Sequence, residues 1–210
     1  LLLASSILCP PAAIPFAYLI KGILTIYEET CTICNLLPGN LLTCGRPEIW
    51  QMILYLSLLL LIALLRKKGN LILRWGMALA AVFMLMLPTK TGMTITFLDV
   101  GQGDCICIKN GYGRHYLVDG GSSSVSGVGE YRIIPFLKFQ GISRLEAVFI
   151  THPDEDHCNG IRELLAEGEK QGIRIGALIL PDIAGSARGE AYLALEEAAG
   201  EGGVPVAYIS

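Results

Sequence analysis

The chain has 210 residues, 52% of them hydrophobic, a net charge of −3 and a positive mean hydropathy. So large an apolar fraction is out of range for an ordinary soluble protein and calls for a membrane-associated portion. Charge divides the chain: seven Lys/Arg against three Asp/Glu through residue 90 give +4, and nine against sixteen from residue 91 give −7. The acidic second part lacks the basic footprint of an autonomous DNA-binding surface.

In chain order, the sequence opens inside an apolar run without Met and stops in a strand-like segment, 204–210, so it reads as an internal fragment cut at both ends. Leu1 to Ile20 is apolar but holds Pro10, Pro11 and Pro15, as expected for the end of a kinked spanning helix lining a cavity. Residues 23–37 mix apolar positions with Glu28, Glu29 and Asn35 and read as an interfacial amphipathic helix closed by Pro38-Gly39-Asn40. Two apolar runs follow, 49–65 and 71–87, each about as long as the shortest spanning helices, roughly 17 residues. Arg74 lies near the start of the second, where a long side chain can snorkel. Between them Arg66-Lys67-Lys68-Gly69-Asn70 is basic, and the positive-inside bias places it in the cytoplasm. The second run then points outward, and everything after about residue 88 is expected outside the cytoplasmic membrane. Cys31 and Cys34 have CxxC spacing with Cys44 nearby, which suits a zinc knuckle or a disulfide. Without a second pair, the favoured reading is small apolar residues in or near a membrane.

From Met93 the pattern becomes that of an α/β domain. Strands are expected at 94–98, 105–108 and 116–118, a short helix or turn at 132–139, and a buried strand at 147–150. Helix 161–169, strand 177–180, helix 190–199 and a last strand complete an order of antiparallel strands followed by βαβαβ. Cys105 and Cys107 alternate and should share one face; His115 falls at a hairpin and reads as a surface residue.

The functional signal is concentrated in Thr151-His152-Pro153-Asp154-Glu155-Asp156-His157. If the strand continues, period-two alternation sends His152, Asp154 and Asp156 in one direction, with Glu155 pointing away and His157 at the following turn. Charged residues are rarely buried unless paired or metal-bound, so His152, Asp154, Asp156 and His157 are candidate metal ligands. A polar helix start with Asp caps is the plain alternative, but it leaves both histidines unexplained. Asp99 and Asp104 flank Gly101 and Gly103 and serve either the site or the turn. Asp119, ahead of two glycines, serves either as a group orienting a ligand histidine or as a turn residue. For Arg132 and Lys138, solvated charge is the default.

The spacing at 152–157 resembles the H-x-H-x-D-H signature of the metallo-β-lactamase superfamily, with Asp154 in place of the second histidine. Together with Phe97-Leu98-Asp99-Val100-Gly101-Gln102-Gly103-Asp104 and Leu117-Val118-Asp119-Gly120-Gly121, it is similar to the ComEC-type competence proteins. The resemblance implies an α-helical transmembrane segment followed by an α/β metallo-β-lactamase-like domain of the αββα sandwich type, of which this chain holds the first half. On that basis residues 1–90 are the end of a membrane competence domain and 91–210 the start of the soluble one. It further implies a role in bacterial DNA uptake, with an extracytoplasmic hydrolase degrading the non-transported strand. DNA, the membrane and other competence-machinery proteins are the implied partners. His152 and Asp154 would serve one divalent ion, Asp156 and His157 a second roughly 3.5–4 Å away, with Asp156 the residue on which catalysis depends. An Asp in place of His favours Mn²⁺, with Zn²⁺ and Mg²⁺ left open. The superfamily site also takes a later His, a bridging Asp and another His, and no histidine follows His157, so the site is expected to be half-built here. Two other readings stay open: a channel component with an inactive soluble domain, and a membrane-anchored hydrolase of another phosphodiester or ester.

Overall fold

The computed structural model describes residues 10–37, 41–64, 70–87 and 92–210. The chain divides into two compact units, Leu1–Leu42 and Thr43–Ser210. In the first, helix α1 runs unbroken over Pro10–Asn35. The expected kinked span and the separate interfacial helix at 23–37 are therefore, over the described residues, one continuous helix. Pro15 is the sixth residue of this helix and, lacking an N–H, gives up one intrahelical hydrogen bond there. Thr30 and Thr32 return their hydroxyl protons to the carbonyls of Ile26 and Glu28, at 2.7 and 2.9 Å. Residues 1–9 and Pro38-Gly39-Asn40 lie outside the described residues.

The second unit begins with a helical hairpin, α2 (Ile49–Leu64) and α3 (Leu71–Leu85), of 16 and 15 residues. Trp50, Ile53, Leu60, Trp75, Leu79 and Phe83 are exposed on it. Gln51 is the buried exception, 1% exposed. Its amide donates to Met84 O at 2.8 Å and Leu87 O at 3.2 Å, while its Oε1 accepts from Glu48 N at 2.8 Å. One side chain thus adds to the bonds of two carbonyls at the end of α3 and satisfies an amide at the start of α2. The helices fall where spans were expected, but 16 residues rise only about 24 Å, short of a hydrocarbon core of about 30 Å. Among the described residues, no helix is long and apolar enough to cross a membrane. Arg66, Lys67, Lys68 and Gly69, on which the expected orientation rests, lie outside the described residues.

Strands β1 (Thr94–Phe97), β2 (Ile106–Lys109), β3 (His115–Val118), β5 (Ala147–Phe149), β7 (Leu178–Pro181) and β8 (Val206–Ile209) form one sheet in the order β1-β2-β3-β5-β7-β8. The β1-β2 and β2-β3 pairs are antiparallel and the other three parallel, as the expected order requires. Two short strands, β4 (Arg144–Leu145) and β6 (Arg174–Ile175), pair with each other in parallel. A π-helical turn at Gly129–Ile133 leads into α4 (Ile134–Gln140); α5 (Glu155–Glu167) follows β5, and α6 (Glu190–Glu201) precedes β8.

The register explains the core. Cys107, Leu117, Val148, Leu178 and Val206 stand side by side across five strands, so they share one face of the sheet. Leu117, Val148 and Leu178 are fully buried there, in one cluster with Ile161 and Leu164 of α5, Leu137 of α4, and Tyr192 and Leu195 of α6. Cys107 belongs to this core as the alternation predicts, and Cys105 is buried with it. His115 is half-buried on β3 opposite Lys109, and burial together with that lysine lowers its pKa.

The strand directions place the chemistry. The parallel strands β3, β5, β7 and β8 all end at one edge of the sheet, where β1 also ends and β2 begins. Asp99, Asp104, Asp119 and the 151–157 segment therefore emerge at a single edge, the usual place for a site in an open α/β sheet.

Candidate metal site at the sheet edge

The 151–157 segment is not the extended ladder that alternation suggested. Strand β5 ends at Phe149, and α5 begins at Glu155 rather than near residue 161. Pro153 restrains the turn, and Asp154 holds the extended N-cap conformation, φ −86° and ψ 151°. Its backbone carbonyl accepts from His157 N at 2.9 Å and Cys158 N at 3.1 Å. Asp154 and Asp156 thus belong to a helix start, and the shared direction expected for His152, Asp154 and Asp156 gives way to a loop followed by a helical turn. Asp154 occupies the cap position, yet its carboxylate makes no capping bond. Those oxygens remain available at the positive end of the α5 dipole, beside Glu155 and Asp156. Glu155 turns aside to pair with Arg162 at 2.6 Å.

Two imidazoles meet here. The rings of His152 and His157 lie 3.6 Å apart, centroid to centroid, tilted by 48°. His157 is buried and His152 exposed. Each presents Nε2 3.9 Å from a carboxylate oxygen, His152 to Asp154 Oδ2 and His157 to Asp156 Oδ2. Those separations exceed a hydrogen bond, so neither pair is closed on itself.

The opposite sides of the rings are held from below. Asp119, 3% exposed, accepts from Thr151 N at 2.8 Å through Oδ1 and from the Thr151 hydroxyl at 2.6 Å through Oδ2. The same Oδ2 lies 3.2 Å from His157 Nδ1. Asp119 is thereby an orienting group as well as a turn residue, and it holds a left-handed backbone, φ 55°. Asp104 stands further off, its Oδ2 3.9 Å from His157 Nδ1, with an exposed side chain. Asp99 serves the turn, accepting from Gly101 N at 3.3 Å. Asn159, two residues past His157, clamps the neighbouring loop: its Oδ1 accepts from Ser122 N at 3.0 Å and its Nδ2 donates to Ser122 O at 2.7 Å. Thr151 and Asn159 escaped the sequence reading because a lone Thr or Asn carries no periodic or spacing signal. Adjacency to His152 and His157 was the only hint.

Cys158, fully buried beside His157, is no nucleophile. Burial, reinforced by Glu155, pushes its thiol up to about 11, so the reactive thiolate is scarce at neutral pH.

As a donor set, two imidazoles and two carboxylates suit a divalent ion that accepts nitrogen and oxygen. Among the described residues, no three such side chains converge closely enough to hold one. What the chain builds is two His–carboxylate pairs with their outer nitrogens unblocked.

Residues 98–191 match the metallo-beta-lactamase superfamily. The chain is similar to ComE operon protein 3 of Bacillus subtilis (strain 168), 28% identical over 142 residues that cover 60% of this chain and 18% of that protein. It is also similar to Competence protein ComA of Neisseria gonorrhoeae, 28% identical over 113 residues, 52% of this chain and 16% of that protein. The chain therefore spans less than a fifth of these curated relatives. No solved structure matches it significantly.

Proposed function

Because residues 98–191 carry a metallo-beta-lactamase superfamily domain in a chain similar to competence proteins, we propose that this protein is a membrane component of bacterial DNA uptake whose α/β domain is a metal-dependent hydrolase cutting the strand that is not transported. The observation that carries the reading is the pair of His–carboxylate couples at the sheet edge, with Asp119 holding His157 from behind. A second consideration is charge. Asp99, Asp104, Asp119, Asp154, Glu155 and Asp156 crowd this edge, and a polyanionic substrate approaches it only if cations intervene.

In this reading His152 and Asp154 would help hold one divalent ion, and Asp156 and His157 the other. Asp154 in place of an imidazole shifts the preference toward Mn²⁺, with Zn²⁺ and Mg²⁺ as alternatives. Such ions, when bound, polarise the phosphodiester and stabilise the leaving oxygen. The chain's own part is to present the donors. The start of α5 sets Asp154 and Asp156 close together, and Asp119 keeps the His157 ring from rotating. The α2–α3 hairpin, with its exposed apolar surface, sits in the cytoplasmic membrane, and the α/β domain lies outside the cytoplasm, where the discarded strand is found.

The intact protein, with the ligands that the superfamily site takes beyond His157, is expected to degrade DNA in detergent with Mn²⁺, and Asp156→Ala to slow cleavage at least about 100-fold, the loss that even an outer partner of a metal ligand can bring. Cleavage retained by a folded Asp156→Ala protein sinks the catalytic assignment and leaves a channel component with a structural domain. Cleavage of small phosphodiesters but not DNA would instead point to a different substrate. Orientation is checked separately. A reporter active only outside the cytoplasm, inserted after Lys90, is expected to be active; signal solely from a cytoplasm-restricted reporter reverses the topology.

A further inference from the structure

Thr151 sits between the buried carboxylate and the exposed histidine, and its hydroxyl has a single proton to give. As a carboxylate, Asp119 only accepts, so at 2.6 Å the Thr151 proton must point at Asp119 Oδ2. Thr151 Oγ1 also lies 2.9 Å from His152 Nδ1. With its proton committed, the hydroxyl can only accept there, and His152 Nδ1 must carry the hydrogen. His157 reaches the same state directly, because its Nδ1 faces Asp119 Oδ2 at 3.2 Å.

We propose that Thr151 is a positioning residue that relays the acceptor character of Asp119 to His152, so that one buried carboxylate sets both histidines as Nδ1–H tautomers with bare Nε2 atoms. Without the relay, His152 would be the unheld member of the pair: it follows the loop, is exposed, and makes no other ring hydrogen bond among the described contacts. The relay deepens the metal reading and rests on it only for the last step, the use of those Nε2 lone pairs as metal donors.

The chain has three histidines, so selective ¹⁵N-histidine labelling of the whole chain resolves each ring. At about pH 8, above the ordinary imidazole range, the metal-free protein is expected to show Nδ1–H, Nε2-bare rings at both His152 and His157. Thr151→Val keeps the shape but removes the hydroxyl. It should shift His152 to a mixture containing Nε2–H while leaving His157 unchanged, and Thr151→Ser should restore the original pattern. Nε2–H at His152 in the unmodified chain overturns the proposal outright, whether or not the valine variant folds, as does a folded Thr151→Val protein whose His152 tautomer is unaltered. In Zn²⁺ titrations by calorimetry, Thr151→Val should bind about 10- to 100-fold more weakly than the Ser variant. If the tautomers are as expected but the intact protein binds neither Zn²⁺ nor Mn²⁺, the relay stands and the metal reading falls.

Discussion

Replacing Asp119 by alanine is expected to lower the unfolding free energy by about 3–5 kcal/mol, a loss few single changes in this domain should match. Three donors end on this carboxylate, the Thr151 amide, the Thr151 hydroxyl and His157 Nδ1. Each donor left buried without a partner costs about 1–3 kcal/mol, and the three share neighbours, so the sum falls short of simple addition. Alanine must also hold the left-handed backbone that Asp and Asn tolerate best. A second substitution, Asp119→Asn, separates structure from chemistry. It keeps the backbone preference and an oxygen for the Thr151 amide, but it turns an NH₂ toward the Thr151 hydroxyl and His157. The protein should unfold in urea within about 1–2 kcal/mol of the unmodified chain, the scale of one altered hydrogen bond. Yet His157 Nδ1 would then have to accept, and the Thr151 proton would swing to His152, moving both ring protons to Nε2. Divalent-ion affinity should collapse in a folded protein. If Asp119→Asn binds Zn²⁺ as tightly as the unmodified chain does, the orienting role of Asp119 is wrong.

Gly103→Ala should be nearly as damaging, for a reason unrelated to hydrogen bonds. A Cβ at Gly103 would lie 2.2 Å from Gly121 O and 2.5 Å from Asp156 O, both backbone atoms that cannot rotate away. At Gly121, which the same contact joins, a Cβ would meet Asp156 C at 2.5 Å and His157 N at 2.6 Å. Three backbones, the β1–β2 loop, the segment after β3 and the first turn of α5, touch with no side chain between them. Forcing them apart costs about 3 kcal/mol or more and displaces Asp156 and His157 together. Thermal unfolding should show the loss. Gly111→Ala, with open space around its Cβ, is the control and should shift stability by no more than about 1 kcal/mol. Equal effects at the two positions would mean that the close approach is not what glycine serves at 103.

The candidate residues stood out from composition alone, because a helix start accounts for Asp154 and Asp156 but not for two histidines beside them. The strand feeding them was legible too, from Ala147-Val148-Phe149 and its apolar run. Their geometry was not. Alternation fails after Phe149 because Pro153 and the extended Asp154 start a helix, and a helix start and a strand end share the same polar composition. The hairpin helices were placed within a residue or two. Over the described residues they are shorter than a span, and α1 is continuous through Pro15; both depend on the backbone hydrogen-bond pattern, which hydropathy does not report. Thr151 was invisible because its role exists only through contact with Asp119, 32 positions away in sequence.

The Gln51 amide has a mechanical consequence. The polypeptide itself joins the end of α2 to the start of α3, and Gln51 fastens the start of α2 to the end of α3. The hairpin is therefore a closed ring, bonded at both ends. Neither helix can slide by a turn past the other without first giving up two hydrogen bonds. Any displacement the pair undergoes is a rigid tilt or rotation of both helices together, with register between them conserved.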